Sequence, residues 1–151
     1  SSVYRDHVSA LYGIGSTTGI LNLLDQGIID GLVTYDQFSQ GYLSIKKAVE
    51  AMITGNEYSL AVTLNSAASS REEMRSVLEM LSRVVRDAAA ARYGSKTFLG
   101  CSAGGAMRMS ERISSGRLIA MYDAICEASY RCTRNCNAQV AAAVLSGKLC
   151  R

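Results

Sequence analysis

The sequence predicts an all-α fold, an antiparallel helical bundle preceded by a small helical piece. Three observations carry this expectation. The 151 residues contain no proline, so no ring interrupts a helix by removing an amide proton. Ala, Leu, Met, Arg and Glu are plentiful, and all of them favour helices. Apolar residues recur at spacings of three and four, while no stretch alternates as a half-buried strand does.

The first segment, Val3 to Tyr12, has no firm pattern. Gly13, Gly15 and Gly19 then mark a turn, and Ile20, Leu21, Leu23 and Leu24 read as a helix. Gly27 to Gly31 reads as a break. Thr34-Tyr35-Asp36-Gln37 has the form of a capping box, in which threonine caps an amide and glutamine reaches back. The helix it opens carries Tyr42, Ile45, Val49, Met52 and Ile53, and Gly55-Asn56 ends it. Leu60, Ala61 and Leu64 suggest a short helix next. Ser70-Arg71-Glu72-Glu73 is a second capping box, with Ser70 and Glu73 as its partners. It opens the clearest helix, with Met74, Val77, Leu78, Leu81, Val84, Val85 and Ala88 on one stripe. That helix stops at Gly94, and a loop of small residues follows.

A helix is expected from Ala106 to Ile113, and another after Gly116. The latter presents Leu118, Met121, Tyr122, Ile125, Ser129 and Cys132 on one face. The last helix has Val140, Ala141, Val144, Leu145 and Leu149 as its face. Short polar turns between helices favour antiparallel neighbours. The closing two helices are expected to form a hairpin whose turn is fixed by Asn135 and Asn137. Asparagine tolerates the left-handed conformation and caps a following helix. Leu118, Met121, Tyr122 and Ile125 would face Val140, Val144, Leu145 and Leu149. The domain boundary is expected between residues 33 and 34.

Composition narrows the function. A chain of this length can bury a core without disulfides or metal. A formal net charge of +3 is too small to mark a nucleic-acid binder. No apolar run reaches the ~18 residues of a membrane helix, and no secretory signal opens the chain. The sequence starts at Ser1 rather than Met, which leads us to expect upstream domains. The five cysteines are odd in number and sit within helical periodicity, which suits reduced thiols in a cytoplasmic protein better than a disulfide scaffold.

No candidate chemistry survives comparison with a structural reading. The glycine-rich turn lacks the Lys-Ser or Lys-Thr of a phosphate-binding loop and follows no predicted strand. Cys132 and Cys136 are spaced to share a helical face and could begin a zinc site. The sole histidine, His7, is distant, however, and no second close cysteine pair exists. Buried thiols are the better reading. Nothing around His7 resembles a hydrolase motif. Arg83, Arg86 and Arg92 read as solvated charges, or as partners of neighbours such as Asp87. We therefore expect no catalytic, cofactor-binding or metal-binding residue, no cofactor and no small-molecule substrate.

A family resemblance extends this. Ser115-Gly116-Arg117-Leu118-Ile119-Ala120-Met121-Tyr122-Asp123-Ala124-Ile125-Cys126-Glu127-Ala128, followed by Asn135-Cys136-Asn137-Ala138-Gln139-Val140-Ala141, resembles the final two helices of bacterial DNA polymerase III clamp-loader delta-prime subunits. Arg71 to Gly94, with Arg86-Asp87, resembles that family's long collar helix. Gly15 to Leu24 is similar to its lid-domain motif. The motifs are apolar patterns, and their order and spacing carry the specificity. Ala143 stands where the family usually has glutamate. The turn from Gly15 to Gly19 lacks the arginine with which ATP-binding relatives sense nucleotide, which fits delta-prime better than gamma/tau.

The resemblance implies a lid remnant over 1–33 and a non-catalytic oligomerisation collar over 34–151. Its partners would be the gamma/tau and delta subunits, with DNA and the sliding clamp met only through the whole loader. Leu118, Met121, Tyr122, Ile125, Val140, Val144, Leu145 and Leu149 would then pack the hairpin or a subunit interface. Three other readings stand beside this one: a gamma/tau collar, an unrelated cytosolic helical adaptor, and an enzyme whose cleft lies between helices.

Overall fold

A computed structural model describes residues 12–14, 31–33 and 37–151, with side chains from Gly41 onward. The chain divides into two compact units, Ser1–Gln40 and Gly41–Arg151. In the first unit, β1 (Tyr12–Ile14) pairs in parallel with β2 (Gly31–Val33). Tyr12 stands opposite Gly31, and Ile14 opposite Val33. This departs from the sequence reading, which took Gly13 as the start of a turn and Gly31 as a break. Three-residue strands are too short to show alternation, and their pairing is non-local. The helix expected at Ile20 to Leu24, the turn at 15–19, the cap at Thr34 and His7 lie outside the described residues.

From Gln37 onward the described chain is helical. The helices are α1 (Gln37–Thr54), α2 (Glu57–Ala67), α3 (Arg71–Arg92), α4 (Ala103–Arg112), α5 (Ser115–Cys132) and α6 (Ala138–Cys150). Side chains capping the first turns fix most of the starts. Asn56 accepts the Ser59 amide at 2.9 Å to open α2. Ser102 accepts that of Gly105 at 3.2 Å to open α4, which puts the start of α4 three residues ahead of the expected Ala106. Ser114 caps α5 through Arg117 at 3.3 Å, so Gly116 lies inside that helix. Gly55 and Gly94, at φ +69° and +84°, leave α1 and α3 through the left-handed region that glycine enters without steric cost.

The capping box of α3 is shifted by one residue. The Ser70 hydroxyl accepts the Glu73 amide at 3.1 Å. The returning Glu73 carboxylate, however, accepts from the amide and the hydroxyl of Ser69, both at 2.7 Å. These bonds hold the Glu73 carboxyl below the usual glutamate range, the Ser69 hydroxyl contributing most.

The core is centred on α3. Met74, Val77, Leu78, Leu81, Val84, Val85 and Ala88, the stripe legible in the sequence, are all buried. Helix α5 runs antiparallel against it: Glu72 at the start of α3 shares a groove with Thr133 past the end of α5, and Ala89 lies beside Leu118. Helix α6 returns along α5, with the Arg117 guanidinium donating to the Lys148 carbonyl at 2.8 Å. Helix α2 packs on α6 through the buried Leu60 and Leu64. Fully burying one such leucine contributes about 1.5–3 kcal/mol.

Candidate functional site

The loop from α3 to α4 is tied to the core by one acid. Asp87 is 2% exposed, and its Oδ2 accepts the amides of Leu99 and Gly100 at 2.8 and 2.6 Å. The Arg86 guanidinium lies 4.0 Å away, on the other carboxylate oxygen. A buried charge is tolerable when it is paired and hydrogen-bonded. Arg92 supports the same corner by donating to the carbonyls of Ser110 and Ile113. The Arg-Asp pair noticed in the sequence is thus a structural clamp, and the sequence reading missed the partners Leu99 and Gly100. Nothing in the residue types alone marks them.

The expected hairpin residues separate into two sets. Leu118, Met121, Ile125, Leu145 and Leu149 are buried, whereas Tyr122, Val140 and Val144 are exposed. The latter three do not form the packed stripe that the sequence suggested. On α6 the buried positions are Ala142, Leu145, Ser146 and Leu149, and Val144 sits about 100° around the helix from Leu145. With valine, alanine and leucine from Val140 to Leu145, α6 is apolar nearly all round, so residue type did not reveal which side faces inward.

The turn between α5 and α6 is built as the asparagines suggested. Asn135 takes φ 22°, and its side-chain oxygen accepts from Arg71 of α3 at 3.1 Å. The Asn137 side chain accepts the amides of Gln139 and Val140 at 2.9 and 3.3 Å, filling two of the unpaired donors of a helix start.

Two concave surfaces flank α5. A groove of about 570 Å³ runs between α3 and α5, floored by Leu78 and Ile125 and edged by Arg75, Glu79, Cys126 and Tyr130. Three of its hydroxyls are turned onto nearby backbone carbonyls: Ser76 donates to Glu72, Ser82 to Glu79 and Thr133 to Tyr130, at 3.1, 2.7 and 2.6 Å. The Glu79 carboxylate is paired with Arg83 at 2.6 Å. Beyond the groove, Ile119 and Tyr122 line an apolar hollow with Val85 and Ala89. On the other side of α5, Val140 and Val144 line a smaller cleft with Ala124 and Ala128. Glu127 and Lys148 form an ion pair at its rim, at 2.9 Å. Lys148, and then Arg131, hold the Glu127 carboxyl below its ordinary range.

Among the described residues, no three His, Cys, Asp or Glu side chains come together as a metal would need. No described helix is long and apolar enough to cross a membrane. No family model matches the chain, and no curated protein or solved structure matches it either.

Proposed function

We propose that this chain is the non-catalytic oligomerisation part of a bacterial DNA polymerase III clamp-loader subunit of the delta-prime type. Residues 34–151 would act as the collar that holds unlike subunits together while the loader places a sliding clamp on DNA. The observation that carries the reading is the set of exposed large hydrophobic side chains on the last two helices, Ile119, Tyr122, Tyr130, Val140 and Val144. Those helices also bear the sequence pattern that resembles the family.

Permanent assemblies of unlike chains bury large apolar faces, on the order of 2,000–5,000 Å² in total. A collar separated from its neighbours would therefore leave a larger contiguous apolar surface in water than an ordinary monomer does.

The test is co-purification of the tagged chain with the gamma/tau and delta subunits of the same bacterium. The proposal expects a stable complex that survives gel filtration. Elution of all three components separately, at concentrations where the loader assembles, would contradict it.

A further inference from the structure

The five cysteines are free thiols, and two of them, Cys132 and Cys136, lie at the α5–α6 turn. Cys132 is the last residue of α5 and is buried at 3% exposure. It lies four residues after Ala128, on the same helical face. Past Cys132, the amides of Thr133 and Arg134 fold back onto the carbonyls of Tyr130 and Arg131, both at 3.0 Å. Asn135, in the left-handed region, then reverses the chain. The reversal carries half-buried Cys136 into the cleft lined by Ala128 and Arg131, beside the face on which Cys132 lies.

Cys136 also lies close enough to act on Cys132. After burial, the neighbouring Cys136 is the next cause that raises the Cys132 pKa, while Arg75 and Arg71 on α3 oppose it. The Cys136 thiol donates to the Asn137 carbonyl at 3.4 Å, a weak bond that a side-chain rotation breaks.

We propose that Cys132 and Cys136 are a modification site, forming an intramolecular disulfide when the chain meets a hydroperoxide. The half-buried Cys136 reacts first. Its thiolate attacks the peroxide oxygen, forming a sulfenic acid and releasing water after proton transfer. The Cys132 thiolate then attacks the Cys136 sulfur and expels the sulfenic oxygen as a second water. Two thiols and one hydrogen peroxide thus give one disulfide and two waters. The two electrons pass from the sulfurs to the peroxide. This inference does not depend on the proposed function. It would lock the turn that carries the α6 cap at Asn137 and the Arg71 contact at Asn135.

Trypsin provides the test, because it cuts after Arg131, Arg134 and Lys148 and so separates the two cysteines. The full chain is treated with limiting hydrogen peroxide, quenched in acid, denatured, alkylated and digested. The proposal expects peptide Cys132–Arg134 joined to peptide Asn135–Lys148, with a mass two hydrogens below their sum and lost on reduction. In Cys132→Ala, Cys136 should instead proceed to sulfinic acid. Oxidised Cys136 in chains of the parent whose Cys132 is still alkylated would overturn the proposal.

Discussion

Asp87 and Gly100 are bound to each other across the α3–α4 corner, carboxylate to amide, at 2.6 Å. The contact fixes the only long connection within the helical unit to its central helix. It also explains the choice of residues at both ends. A side chain at 100 would stand 2.9 Å from Val84 Cγ2 and 3.1 Å from the Asp87 carboxylate, so the backbone reaches its acceptor only because the residue is glycine.

Asp87→Ala removes the acceptor from two amides in a part-buried setting. Hydrogen bonds to charged groups contribute about 1.5–3 kcal/mol, and we expect a loss in that range by urea unfolding. Native-state hydrogen exchange should show the amides of Leu99 and Gly100 losing protection most. An unchanged midpoint would show that the loop is held by other contacts.

Gly100→Ala tests the same corner by crowding instead of deletion. Forcing a methyl into close contact with Val84 and Asp87 should cost about 1–3 kcal/mol, as overpacking does. Gly104→Ala is the control, because a Cβ there meets nothing within 4 Å. Equal melting temperatures for the two variants would contradict this packing.

Leu145 and Val144 are neighbours with opposite expected behaviour. Leu145 is 2% exposed and Val144 52%. Leu145→Ala should lose roughly 2–5 kcal/mol, while Val144→Ala should stay within about 0.5 kcal/mol. Thermal melting of both variants decides whether this face of α6 is the core.

Glu73 gives a pH dependence. Its carboxyl is depressed by Ser69, so its contribution is fully present above the unfolded-state glutamate pKa. That contribution is lost as pH falls through the lower folded value. Unfolding curves for the parent and Glu73→Gln should differ at neutral pH and converge once the pH has fallen below the ordinary glutamate range and through the lowered folded value. A difference that persists at the acid end would assign the effect to packing rather than to the charged cap.

The helical class was legible in the sequence because α3 displays a sharp apolar stripe against charged residues, and its burial follows that stripe residue by residue. The caps at Ser70 and Asn137 were legible too, since their chemistry is local. The paired three-residue strands were not, because Gly31–Val33 find their partner in Tyr12–Ile14, far back in the chain. On α6 the reason is different: a helix with valine, alanine and leucine on every side gives no contrast from which to read its inner face. The Asp87 clamp was half legible. The acid stood out, but backbone amides of a distant loop have no sequence signature.

The central claim is that the exposed apolar side chains of α5 and α6 meet neighbouring subunits. The most direct measurement is light scattering on gel-filtered mixtures with gamma/tau and delta subunits, comparing the parent with an Ile119→Asp, Val144→Asp double variant. Both positions are exposed, so the variant should melt close to the parent. The account predicts that the parent enters a complex of defined mass and that the variant, equally folded, is left out or bound at least tenfold more weakly. A variant that assembles as tightly as the parent would contradict it.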